Sequence, residues 1–122
     1  MTRSEFYANW LTYFACGISQ ADIEKYVVST GNLLWHIFSW KLIDDTKFLS
    51  GDEARAAYDR VDKDSAIYIH WFEDETTHLL SRHMQNSRIL DKMTEVYVVA
   101  YDFSWTYMKT HEEMCGPYFM KL

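Results

Sequence analysis

The chain of 122 residues has one proline, four glycines and two cysteines, and no long apolar run. Each shortage excludes something. With so few helix and strand breakers, and no repeat or low-complexity tract, nothing marks a linker, so one domain spanning residues 1–122 is expected. No apolar run approaches the ~20 residues that cross a bilayer, so no membrane is expected as a partner. The opening MTRSEFYANWLTYFACG lacks the apolar core and small-residue cleavage site of an export signal. Two thiols without such a signal point to a reducing, cytoplasmic compartment with Cys16 and Cys115 free. Clustered basic residues are also missing. With 18 acidic against 12 basic side chains and a net charge of −6, the chain has no cationic footprint for phosphates, which argues against nucleic acid.

What is present supports a real core. Hydrophobic residues make up 48% and aromatic residues 17%, more apolar surface than disordered chains carry. A chain of this length can bury roughly two-thirds of its unfolded surface. Glu95–Tyr101 and Ser104–Thr110 alternate in polarity and read as a hairpin joined through Asp102-Phe103. Ser65–Phe72 reads as another strand. Leu33–Trp40, with large side chains at odd and even positions, reads as a strand covered on both faces.

Helical spacing of Phe6, Trp10, Tyr13 and Phe14 predicts a first helix over Ser4–Cys16, stopped by Gly17. Ser19 caps a second short helix that ends at Thr30-Gly31. Ser50–Glu53 has the form of a capping box ahead of a helix burying Ala54, Ala57, Tyr58 and Val61. Leu42–Leu49 reads as a loop, and Glu73–Met93 as one or two short helices around Gln85-Asn86-Ser87. The expected fold is α+β: a mainly antiparallel four-stranded sheet with helices packed on one face.

Chemistry-bearing residues are scattered. His111, Glu112 and Cys115 form the densest polar cluster and include zinc-ligating and acid–base residue types. Neither HExxH nor CxxC is present, so anchoring of the tail is the favoured role; no metal, cofactor or catalytic residue is expected. His36 and His70 fall mid-strand in this reading and could meet if those strands pair. His78 and His83, five apart, do not share a helix face. The remaining signal is acid beside aromatic. Asp44, Asp45, Asp62, Asp64 and the run Glu73, Asp74, Glu75, with Trp40 and Tyr118 exposed, would form a face suited to a basic protein partner.

The segments WHIFSWKLI, LSGDEARAAYD, VYVVAYDFSWTYMKTHE and CGPYF resemble, in this order, a family of short bacterial proteins known only as a domain of unknown function. The resemblance covers most of the chain from Leu33 onward and implies one small domain without an assigned activity. A looser similarity, in the acidic strand-turn-strand ending Thr110-His111-Glu112, is to bacterial immunity proteins, the cytoplasmic antidotes to toxins. Together these give the expected function: a non-enzymatic immunity protein that occludes the active site of a cognate toxin. The alternatives are a small enzyme using His111, Glu112 and Cys115, or a small-ligand sensor.

Overall fold

In a computed structural model describing residues 1–122, α1 (Arg3–Phe14) begins one residue before and ends two residues before the expected Ser4–Cys16, its start set by a cap at Thr2. The Thr2 hydroxyl accepts from the Glu5 amide, and the Glu5 carboxylate accepts from the Thr2 amide. Phe6, Trp10 and Phe14, four apart, form its buried stripe. Ser19 caps α2 (Gln20–Tyr26) by accepting from the Asp22 amide. A 3₁₀ turn over Val28–Thr30 and the one-turn helix α3 (His36–Ser39) follow.

Leu33–Trp40 is therefore a chain of turns, correcting the expected strand. Leu34, Trp35, Ile37 and Phe38 are buried while Leu33, His36 and Ser39 are half-buried, a spacing that suits a helical turn. In a short apolar run, the two periods are hard to tell apart until a surface is supplied to pack against.

β1 (Leu49–Ser50) leads directly into α4 (Gly51–Arg60), which buries Ala54, Ala57 and Tyr58 as the spacing predicts. The expected capping box does not form. Ser50 is held extended in a ladder with Tyr118, its side chain makes no cap hydrogen bond, and Gly51 turns the chain at φ 63°. Then come β2 (Ile67–His70), β3 (His78–Leu79), a 3₁₀ turn over Arg82–Gln85 and α5 (Ser87–Leu90). β4 (Val96–Val99), β5 (Trp105–Lys109) and β6 (Tyr118–Lys121) complete the chain. No helix is long and apolar enough to cross a membrane.

The six strands form one sheet in the order β1-β6-β5-β4-β2-β3, with every pair antiparallel. The fold is α+β, but the sheet has two strands more than expected. The expected β2, β4 and β5 are present, whereas β1, β3 and β6 are new. Two of these are two residues long, too short to display alternation, and β6 lies in what reads as an aromatic tail.

Helices cover both faces, which corrects the expectation of one. Tyr97, Val99 and Met108 pack with α1, α2 and α3 in one core cluster. Val96, Val98, Trp105 and Tyr107 pack with α4 and α5 in the other. Consecutive residues of β4 point to opposite faces, and all four are buried, so both faces need a cover. Across the sheet centre, Trp10 Nε1 donates to Thr106 Oγ1 at 2.9 Å, and the Thr106 hydroxyl donates to the Val98 carbonyl. Thr106→Val should leave the Trp10 N–H unpaired in the core. The expected cost is about 1–3 kcal/mol, read as a lower urea midpoint with an unchanged slope.

Candidate functional site

Antiparallel register fixes which loops meet. Val96 lies opposite His70 and Lys109, so Glu95, Trp71 and Thr110 gather at one end of the sheet. Glu95 sits immediately before β4 with its side chain fully buried. Its carboxylate accepts from the His111 amide at 2.7 Å, from His111 Nδ1 at 2.9 Å and from the Tyr97 hydroxyl. Burial, and then the Glu95 charge, push the Tyr97 hydroxyl well above its ordinary value, so it stays protonated and donates.

His111 sits at the surface, its side chain 31% exposed, between the Trp35 ring at 6.0 Å and the Phe72 ring at 5.4 Å. Its Nε2 is 3.4 Å from Glu112 Oε1. From the α3 side comes His36, whose Nδ1 is buried without a partner. Burial holds the His36 imidazole below its ordinary value; Glu95 and Glu112 oppose that shift and His111 adds to it.

A cleft of about 440 Å³ opens beside this network, lined by His111, Glu112, Glu113, Lys109, Arg55 and Asp91 among others. Arg55 on α4 reaches both Asp91 carboxylate oxygens at 3.0 and 3.1 Å and Asp52 at 2.9 Å, tying α4 to α5 at the rim. The turn from β5 to β6 is set by Thr110 and Gly116. The Thr110 hydroxyl lies against the carbonyls of Glu112 and Cys115. Gly116 has φ 83°, and a Cβ there would meet the Tyr118 ring at 3.1 Å.

The expected site residues are dispersed by this geometry. His111 and Glu112 meet, and Cys115 lines the same cleft while packing partly against the core, but no three His, Cys, Asp or Glu side chains are placed to hold a metal ion. Both cysteines are free. Tyr118, expected at the surface, is only 6% exposed: it lies in β6 with its ring stacked on Phe38. Burial and the neighbouring Cys115 push its hydroxyl up to about 12. Trp40 is exposed, tilted against Tyr26. His36 and His70 do not form a pair: His70 lies against Tyr68, while His36 faces Glu95 and His111.

The acidic residues do not share one face. Ile67 pairs with Val99, so Asp62 and Asp64 lie with Tyr101 and Asp102 at the far end of the sheet. Glu73, Asp74 and Glu75 follow β2 at the His111 end. Several of these acids are local turn formers: Asp44 accepts from Thr46, Asp62 from the Asp64 amide and Asp74 from the His70 amide. Asp45 pairs with Lys41 at 3.2 Å.

Glu95 is the residue that sequence reasoning missed. The available signal was a lone carboxylate heading the most apolar strand, EVYVV. Phe72 and Met114, both exposed, were missed too.

The model of a domain of unknown function, DUF4275, matches residues 3–119. The chain belongs to that family. No curated protein and no solved structure matches it significantly. Membership agrees with the expected kinship to a domain of unknown function and brings no activity with it, so a function for this DUF4275 chain has to be argued from its geometry.

Two outcomes test the site's physics. Glu95→Ala strands the buried Tyr97 hydroxyl and the His111 N–H groups, and should cost about 1–3 kcal/mol per unsatisfied group in chemical denaturation. His36 binds a proton less readily when folded than when unfolded, so below the unfolded value of about 6.5 the unfolded chain holds more protons. Stability therefore falls on acidification through that window, and His36→Gln should flatten the slope in urea titrations run across pH.

Proposed function

We propose that this chain is a non-enzymatic binding protein of the immunity type, docking a basic partner with the His111 end of its sheet and occluding that partner's active site. One observation carries the reading: three large apolar side chains, Phe72, Met114 and Trp40, are exposed to solvent. Phe72 is 54% exposed and touches His111; Met114 is 98% exposed and shares a hollow with Lys41 and Asp45; Trp40, 60% exposed, immediately precedes Lys41. Exposed Glu73, Glu75, Glu112, Glu113, Asp44 and Asp45 accompany them. Single exposed apolar residues are ordinary, whereas aromatic anchors among charges of one sign suit a protein interface. The negative field speeds capture of a basic partner, and occlusion needs shape and charge without a reacting group. The far end, with Asp62 and Asp64, exposes a single aromatic, Tyr101, beside the aliphatic Leu79 and Leu122, and supports the reading less.

A second reading is favoured by the Glu95–His111 pair. A buried carboxylate orienting an imidazole beside a cleft is the arrangement of a general base, so a small enzyme centred on His111 is the alternative.

The two separate in one experiment: co-expression with the protein encoded by the adjacent gene. An immunity protein should protect the cell and co-elute with that product. Phe72→Ala and Met114→Ala should each weaken the complex by about tenfold or more with the circular dichroism spectrum unchanged. Unprotected cells and two separate elution peaks would remove this reading. Protection that persists in His111→Ala would remove the enzymatic one.

A further inference from the structure

Five enclosed side-chain atoms have no hydrogen-bond partner within the protein, and two of them, the Tyr7 hydroxyl and Trp71 Nε1, belong to neighbouring rings. The rings stack at 6.3 Å, with Tyr7 on the second turn of α1 and Trp71 directly after β2. An indole N–H can only donate. Burial pushes the Tyr7 hydroxyl above its ordinary value, so it keeps its proton and can donate as well. Buried donors in folded proteins almost always have an acceptor, and a neighbouring pair without one marks a place where an acceptor would be held.

A third donor stands beside them. The Arg3 guanidinium, half-buried, lies 3.9 Å over the Trp71 ring. It donates only to backbone, to the carbonyls of Trp71 and Asp74. The Asp74 carboxylate is committed elsewhere, to the His70 amide at 2.9 Å and to His78. Glu5, nearby on α1, is committed to the Thr2 amide. Arg55, by contrast, collects two carboxylates, so an arginine with no ion pair stands out in a chain of net charge −6. Arg3, Tyr7 and Trp71 line one hollow of about 130 Å³, completed by exposed Ser4 and Asn32. No carboxylate lines it. Each of the five side chains has a group that can donate, and one carries a full positive charge.

A surplus of donors around one unmatched cation is complementary to a single anion, and size and charge narrow the choice. At about 30 Å³ for each water-sized group, the hollow holds about four non-hydrogen atoms. A monoanion balances Arg3, whereas a dianion would leave net negative charge in a half-buried site. A planar carboxylate accepts two N–H groups side by side from a guanidinium edge and keeps lone pairs for the indole and the phenol. We propose that Arg3, Tyr7 and Trp71, with Ser4 and Asn32 at the rim, bind a small monocarboxylate of about acetate size. The site goes beyond the docking reading and shares no residue with that surface or with the cleft beside His111.

The test is a nuclear magnetic resonance titration of the isotope-labelled full chain at constant ionic strength, with sodium acetate, acetamide and sodium chloride as probes. Acetamide keeps the shape of acetate without its charge, and chloride keeps the charge without the planar oxygens. Acetate should move the Trp71 indole N–H signal saturably, and neither control should. Tyr7→Phe keeps the ring and removes one donor, so it should weaken binding about tenfold. Arg3→Gln should abolish the saturable shift while the remaining amide signals report an intact fold. An indole signal that acetate leaves in place, an equal response to acetamide or chloride, or undiminished binding by Arg3→Gln would overturn the site. The three probes on the unaltered chain decide the question even where a variant fails to fold.

Discussion

The central pair of strands, β4 and β5, must be covered on both faces, and the architecture follows from that constraint. Val96 and Val98 point into one core cluster and Tyr97 and Val99 into the other, all fully buried. Residues arranged this way cannot be satisfied by a single layer of helices. The N-terminal helices supply one cover, and α4 with α5 supply the second. The Trp10–Thr106–Val98 hydrogen bonds pin the first cover at the sheet's middle, where an unpaired polar group would be costly. With both faces closed, polar chemistry is displaced to the strand ends, and the His111 site lies at one of them.

That site is organised by a charge taken out of water. Moving a carboxylate into a protein interior costs several kcal/mol unless partners replace its hydration. Glu95 has the Tyr97 hydroxyl and two N–H groups of His111 as replacements. The same bonds that offset its burial fix His111, which ties the stability of the β5–β6 turn to the orientation of an imidazole at the surface. Gly116 and Thr110 hold the other half of that turn, where a side chain at 116 would crowd the Tyr118 ring and be strained at φ 83°. The result is an imidazole oriented by a buried carboxylate, with exposed acids beside it in the turn.

Legibility in the sequence tracked the length of the pattern. α1, α4, β2 and the β4–β5 hairpin are long enough for their periods to show, and they lie where the spacing of Phe6-Trp10-Phe14 or Ala54-Ala57-Tyr58 and the alternation of EVYVVAY place them. Leu33–Trp40 failed because eight residues with large side chains throughout fit either period. Ser50–Glu53 carried the letters of a capping box, but the β6 ladder claimed the Ser50 backbone first. Tyr118 reads as an exposed anchor in the sequence because β6 is too short and too aromatic to show as a strand. At the candidate site, His111 and Glu112 stood out as neighbours in sequence, while Glu95, sixteen residues upstream of His111, gave no local sign of being its partner.

By itself the sequence determined the α+β class, the central hairpin, the helix start at Ser19, and the kinship with an uncharacterised domain family. These depend on residues within a few positions of one another, or on patterns that repeat along one element. Tertiary structure alone decided that two layers of helices enclose six strands, that the acids part to opposite ends of the sheet, and that Glu95 meets His111. Those outcomes depend on strand register and on which surfaces find a cover, and both are settled by contacts between residues far apart in the chain.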